Sequence, residues 1–435
     1  MHTNRTRHSL IGMALGLASL AAFTTPAAAA DILRIGAPLP LTGALAPEGT
    51  KLRQGYDLWL DQVKAQGGIK AGDKTYQVEM RYYDYQSSTP KAVQLAEKLI
   101  SDDKVDFLFS PFGSGAAKAA STVAEKNRVP MLASSASSAE VFDQGYKNLF
   151  GLYTDNSTLS EPIADLVKAK VPGAKRVAIL ARNDLYPLSL AHEFEKSAKQ
   201  RDLEIVYFER YAIGTLDHAA ALTQLAATQP DWIVITGYIN DLILVRKQLA
   251  DLRIDAPALT MINGPAYDEW IAASGKLAEN VTTASWFHPV LSYQSDDVFG
   301  STRKFVDLFH AKFGSNPDFT QASGAAVGVI LQQAIERAGS IDRDAVRAEL
   351  RKGGFKTFFA PVSFGENGMA DSYVPPVYQI QVQGAGRVPA GHRHGRISDR
   401  HRALKCCTCR SCSTVWRWGA CTRASRQASR WCGVC

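Results

Sequence analysis

The sequence predicts a two-lobed α/β protein in which each lobe is a doubly wound, mostly parallel sheet covered by helices. Apolar, β-rich runs alternate with segments of helical periodicity. The body from residue 31 to residue 385 exceeds one ordinary domain, and the rhythm starts afresh after Tyr153.

The first series reads as a strand over 32–38, a helix over 52–66 and a strand over 76–83. Thr89-Pro90 opens the next helix, because proline fits a first helical turn, and Ala92, Val93, Ala96, Leu99 and Ile100 share one face. The run 105–109 is almost wholly apolar, as a strand covered on both sides must be. A helix over 116–126 and a strand over 129–133 complete the series.

The second series alternates helices over 160–170, 189–200 and 217–228 with strands over 176–180, 204–208 and 232–236. It continues with a helix over 241–251 and a strand over 258–262. Helices over 298–313, 322–338 and 343–352 lie beyond that pattern, so the chain is expected to cross back. The expected lobes are 31–153 with 287–358, and 154–286 with 359–384. Such sheets hold ligands outside the carboxyl ends of their strands, so two facing lobes make a cleft.

Both ends of the chain differ from this body. Arg5 and Arg7, an apolar stretch too short for a bilayer span, and small residues up to Ala30 predict a cleavable signal peptide over 1–30 and export to the periplasm. Residues 386–435 hold eleven Lys and Arg against Asp399 alone, and all seven cysteines lie there too. With these ends set aside the body is mildly acidic, which gives it no reason to seek nucleic acid or anionic lipid. Cys409-x2-Cys412 and Cys432-x2-Cys435 match a zinc-ribbon spacing, but an odd number of thiols in an oxidising compartment invites mispairing. The abrupt change in composition is expected to mark a shifted reading frame, with 385–435 an aberrant, disordered basic tail.

No nucleophile elbow, phosphate loop or zinc-protease motif is present, and His192, His218, His288 and His310 are scattered without ligand spacing. No enzyme, metal or cofactor is therefore expected. What stands out is Ser110-Pro111-Phe112-Gly113-Ser114-Gly115 between a buried strand and a helix. Free N–H groups at that helix start, with the Ser114 hydroxyl, suit a carboxylate. Ser134-Ser135-Ala136-Ser137-Ser138 follows the next strand, and turns at adjacent strand ends converge.

These turns, with Arg128-Val129-Pro130-Met131 between them, the following Ala139-Glu140, the opening run from Ile35 to Gly43 and Gly67-Gly68-Ile69, resemble the type I periplasmic binding proteins for leucine, isoleucine and valine. The resemblance covers nearly all of 31–383. It implies a carboxylate-binding hydroxyl at Ser114, groups for a ligand ammonium at Ser135 and Ser137, and closing aromatic residues at Tyr186 and Tyr238. Two positions depart from the family. Glu48 stands where the family often lines its side-chain pocket with an aromatic residue: facing the pocket it disfavours a purely branched-chain ligand and admits a polar, amide or cationic one, and the alternative is that it points to solvent. Asn263 stands where an acid would meet the ligand ammonium, so either the ligand lacks an ammonium or Asp155 serves it instead.

The resemblance implies a monomer that captures an amino acid or related solute and presents it to an ABC permease at the inner membrane. The same lobes can instead serve a sensor for a membrane receptor. The enzymatic alternative, an amide or ester hydrolase using Ser114, lacks a nearby base.

Overall fold

The computed structural model describes residues 31–382 and the backbone of His401–Ala403; the remaining residues, among them 1–30 where a signal peptide is expected and most of the expected tail, lie outside the described residues. The chain begins with β1 (Asp31–Leu39), α1 (Ala46–Ala65), β2 (Ile69–Ala71), β3 (Lys74–Asp84), α2 (Thr89–Ser101) and β4 (Phe107–Phe109). α3 (Ser114–Lys126), β5 (Met131–Ala133), α4 (Ala139–Phe142) and β6 (Leu149–Gly151) follow. The second series is α5 (Ser157–Lys170), β7 (Arg176–Arg182), α6 (Leu185–Lys199), β8 (Glu204–Tyr211), α7 (Ala219–Ala227), β9 (Trp232–Thr236), α8 (Ile239–Asp251), β10 (Ala258–Ile262), α9 (Asp268–Ser274) and β11 (Thr282–Ala284). The chain ends with α10 (Thr302–Phe313), α11 (Phe319–Ala338), α12 (Arg343–Lys352), β12 (Phe355–Lys356), β13 (Pro361–Val362), β14 (Val377–Ile380) and β15 (His401–Ala403).

Among the described residues these strands form two main sheets and the short β12–β13 pair. The first sheet runs β2-β3-β1-β4-β5-β6 and is parallel except for the β2–β3 hairpin at its edge. The second runs β15-β14-β11-β10-β9-β7-β8, parallel from β11 to β8 and antiparallel at β14. β4, β5 and β9 are buried along their whole length, which explains their unbroken apolar sequence. Strand order reverses between β1 and β4 in the first sheet and between β7 and β9 in the second. At such a switch point successive loops leave in opposite directions and open a crevice. The residues after β1, β4, β7 and β9 are therefore placed to meet a ligand.

α1 begins well before the expected start at 52. Pro47 lies in its first turn, where a missing N–H leaves no bond unmade. Gly49 lets that turn press on β1's exit: a Cβ there would lie 2.2 Å from the Pro40 carbonyl oxygen. α1 and α11 approach closely for the same reason. A Cβ on Gly55 would lie 2.1 Å from the Gln321 carbonyl oxygen, and one on Gly324 2.7 Å from that of Leu52.

The chain passes between the sheets near 152–156, 285–301 and 371–376. Beyond the expected last boundary, at 359, the chain keeps contacts with the first sheet. Met369 still bridges Gly151 of β6, and Phe364 packs edge-on against Phe150 with ring centroids 5.3 Å apart. The second sheet is reached only at Val377. The crossing segments pack on one another: Tyr153 and Trp286 stack with centroids 4.0 Å apart, and the Tyr373 hydroxyl donates to the Leu152 carbonyl at 2.8 Å. The backbone of His401–Ala403 pairs antiparallel with the edge of β14, and the rest of the expected tail lies outside the described residues. Among the described residues, no helix is long and apolar enough to cross a membrane.

Candidate functional site: a cleft between two switch points

In the first domain, β4 leads into α3 through a turn whose last residue, Gly113, has φ +84. Glycine adopts that conformation without the Cβ penalty, and it also leaves room for the other domain. A Cβ at Gly113 would lie 3.3 Å from the Tyr238 hydroxyl. Ser114 opens the helix, and its hydroxyl accepts hydrogen bonds from the Ser137 and Ser138 amides, each at 3.3 Å. Ser135 Oγ accepts the Gly113 amide, also at 3.3 Å. The three serines singled out in the sequence are thus brought together. The hydroxyls of Ser137 and Ser138 are buried and find no hydrogen-bond partner among the described residues. Beside this turn, Tyr85 donates to the Phe112 carbonyl at 3.0 Å.

The second domain contributes Tyr186 from the first turn of α6 and Tyr238 from the cap of α8, each just after a switch-point strand. Their ring centroids are 6.1 Å apart, and Tyr238 tilts against Phe112 of the first domain at 5.9 Å. Tyr186 donates to Asn263 Oδ1 at 3.2 Å, so Asn263 holds a tyrosine in place. Tyr238 is fixed from behind: the Arg182 guanidinium lies 5.0 Å from its ring centroid. Asp241 joins the two, accepting from Arg182 Nη1 at 2.7 Å and from the Tyr238 amide at 3.2 Å. Asp155 accepts the Ser157 amide at 2.8 Å and so serves the start of α5.

Sequence reasoning missed the clasp between the domains. Lys51, on α1, binds Asp318 at 2.6 Å and Glu269 of α9 at 2.8 Å. It also lies 5.0 Å from the ring centroid of Tyr267. Its acids are 218 and 267 residues away, so no local spacing marks the group. Burial pushes the Asp318 carboxyl above its usual value, although Lys51 pulls it down. Lys51→Met therefore leaves a buried carboxylate unpaired and is expected to cost about 3–5 kcal/mol of stability. Glu269→Gln, at an exposed acid, is expected to cost no more than about 1 kcal/mol. Urea melts of the two variants check the contrast.

Glu48 lies one helical turn before Lys51. It is 1 % exposed, and among the described residues no other residue donates a hydrogen bond to either carboxylate oxygen. Burial pushes its carboxyl up to about 7, against the pull of its own amide and of Lys51. It feels Arg182 and Asp318 through space, and acts in turn on the phenols of Tyr85, Tyr238 and Tyr267. A separate open depression of about 820 Å³ lies by Tyr146, Arg347, Arg351 and Glu366, before β6 and away from the strand ends. Its Arg351 is already spent on the carbonyls of Glu366, Tyr146 and Lys147.

A sequence profile of the family described as periplasmic binding protein matches residues 32–387. A leucine-, isoleucine-, valine-, threonine- and alanine-binding protein of Pseudomonas aeruginosa is 26 % identical over 364 residues, covering 83 % of this chain and 93 % of its own. The crystal structure of a leucine binding protein from Thermotoga maritima superposes with a TM-score of 0.72 at 25 % identity, covering 80 % of this chain and 96 % of its own. A solute binding protein of R. palustris, solved in complex with benzoate, superposes with a TM-score of 0.70 at 23 % identity, covering 83 % and 96 % respectively, a likeness of fold alone.

Proposed function

Because the chain belongs to the periplasmic binding protein family, we propose that it captures a small amino-acid-like solute in its interdomain cleft and hands it to an ABC permease from the periplasm. The observation that carries this reading is the meeting of two half-sites. The Ser114, Ser137 and Ser138 turns supply hydroxyls and the first amides of α3 at one switch point, and Tyr186 and Tyr238 reach them from the other. The serine turns take the carboxylate of the solute, and the tyrosines cover its body. Closure is a hinge motion about the crossing segments, favoured because a solute touching both domains binds the closed form better than the open one. Ser114 acts as a hydrogen-bonding group and not as a nucleophile, since its described partners are amides and not a base.

A thermal-shift screen of the purified full chain against the standard amino acids, their amides and small aromatic acids tests the reading. A solute at a hundred times its Kd is expected to add about 2.7 kcal/mol of stability and to raise Tm by several degrees. No shift with any of these solutes would refute it.

A further inference from the structure

The cations of the cleft are already spoken for. Lys51 is held at 2.6 Å by Asp318 and at 2.8 Å by Glu269, and Arg182 at 2.7 Å by Asp241 with Asp184 at 3.7 Å. Among the described residues of the cleft Glu48 is the acid left over: buried, with no hydrogen bond to either oxygen from another residue. Its place is specific. It lies on the first turn of α1, beyond the end of β1 at the first domain's switch point. It shares a helix face with Lys51, at i and i+3, and Lys51 reaches α9 of the second domain. The charged and titratable groups around it are Lys51 and Asp318 behind, Tyr85 on the first domain, and Arg182, Tyr238 and Tyr267 on the second. An ionised carboxylate in such a place is costly until a cation joins it. The serine turns have the opposite need, since they offer the Ser137 and Ser138 hydroxyls and the first amides of α3 to an anion and carry no charge of their own.

Resting on the capture reading above, we propose that Glu48 is the specificity residue of the cleft and pairs with a cationic nitrogen of the solute, whose carboxylate lies on the turns of Ser114, Ser137 and Ser138. The ligand is then a zwitterion, and a simple carboxylate anion is disfavoured. This assignment also explains how the cleft manages without an acid at Asn263, which is engaged with Tyr186.

The sign of the pH dependence separates the two ligand classes. Burial holds the Glu48 carboxyl at about 7 in the empty cleft, so a cation must displace a proton below that pH. A zwitterion is expected to bind about tenfold more weakly at pH 6 than at pH 8. An anion without a cation prefers the protonated carboxyl, and its affinity rises over the same interval.

Isothermal titration of the full chain with L-leucine, L-glutamine, L-lysine and benzoate, at pH 6 and pH 8, tests the assignment in the wild type and in Glu48→Gln. At least one amino acid is expected to bind with the pH dependence above. Glu48→Gln is expected to weaken it at least ~30-fold at pH 8 and to flatten the profile. The same variant should melt no lower than the wild type at pH 8, because it removes an unpaired buried charge. Benzoate binding more tightly than every amino acid, or amino-acid binding unchanged in Glu48→Gln, overturns the assignment. If benzoate binds and only Ser114→Asp abolishes it, capture stands and the role of Glu48 falls. If none of the four probes binds and the wider thermal-shift screen also gives no shift, the capture reading falls and takes this assignment with it; a carboxylate without a cation as the sole solute of that screen overturns this assignment alone.

Discussion

Ser114→Asp is expected to abolish solute binding, with Kd rising at least ~100-fold, while the protein stays folded. The Ser114 hydroxyl accepts the amides of Ser137 and Ser138 at the start of α3. A carboxylate in its place takes those amides for itself. The site tolerates the new charge, because helix N-termini favour anions. The solute's own carboxylate then meets a like charge about 4 Å away, a repulsion of about 4 kcal/mol at the effective dielectric of a protein surface. Ser114→Ala removes one hydrogen bond to a charged group and is expected to weaken binding only about tenfold. Titration calorimetry with a solute that shifts the wild type, beside a thermal melt of each variant, separates binding from folding. Ser114→Asp binding as tightly as the wild type would mean that the solute's carboxylate lies elsewhere.

Gly55→Val is expected to destabilise the protein by more than ~3 kcal/mol. Helix propensity alone argues the other way, since glycine inside a helix costs about 0.5–1 kcal/mol relative to alanine. Packing decides the sign. A Cβ at residue 55 would lie 2.1 Å from the backbone oxygen of Gln321, and a backbone atom of a buried helix cannot swing aside as a side chain can. α1 and α11 must separate, and with α1 go Glu48 and Lys51. Gly324→Ala meets the Leu52 oxygen at 2.7 Å and is expected to cost less. Urea denaturation measures both; a cost below 1 kcal/mol for Gly55→Val would mean that the two helices do not meet so closely.

The doubly wound architecture was legible because strands buried on both faces cannot hide their composition, as in β4 and β9. The serine turns were legible for a related reason: a run of small hydroxyl residues directly after such a strand has few structural uses. The first turn of α1 was not. Pro47 and Gly49 look like turn residues in sequence, whereas proline suits a helix start and Gly49 answers to the distant Pro40 carbonyl. That error left Glu48 in a loop instead of on the helix face it shares with Lys51. The clasp of Lys51 with Asp318 and Glu269, and the brace of Arg182 and Asp241 behind Tyr238, depend on pairings across the fold that no local pattern encodes.

Trp286 has its indole stacked on Tyr153, donates to the Thr154 carbonyl at 3.3 Å and lies 6.3 Å from Tyr186. One fluorophore therefore sits on one crossing segment, stacks on another and lies beside one of the rings proposed to cover the solute. Light emitted from the unlabelled chain can report occupancy directly, and substituting Trp286 should silence that signal selectively among the tryptophans.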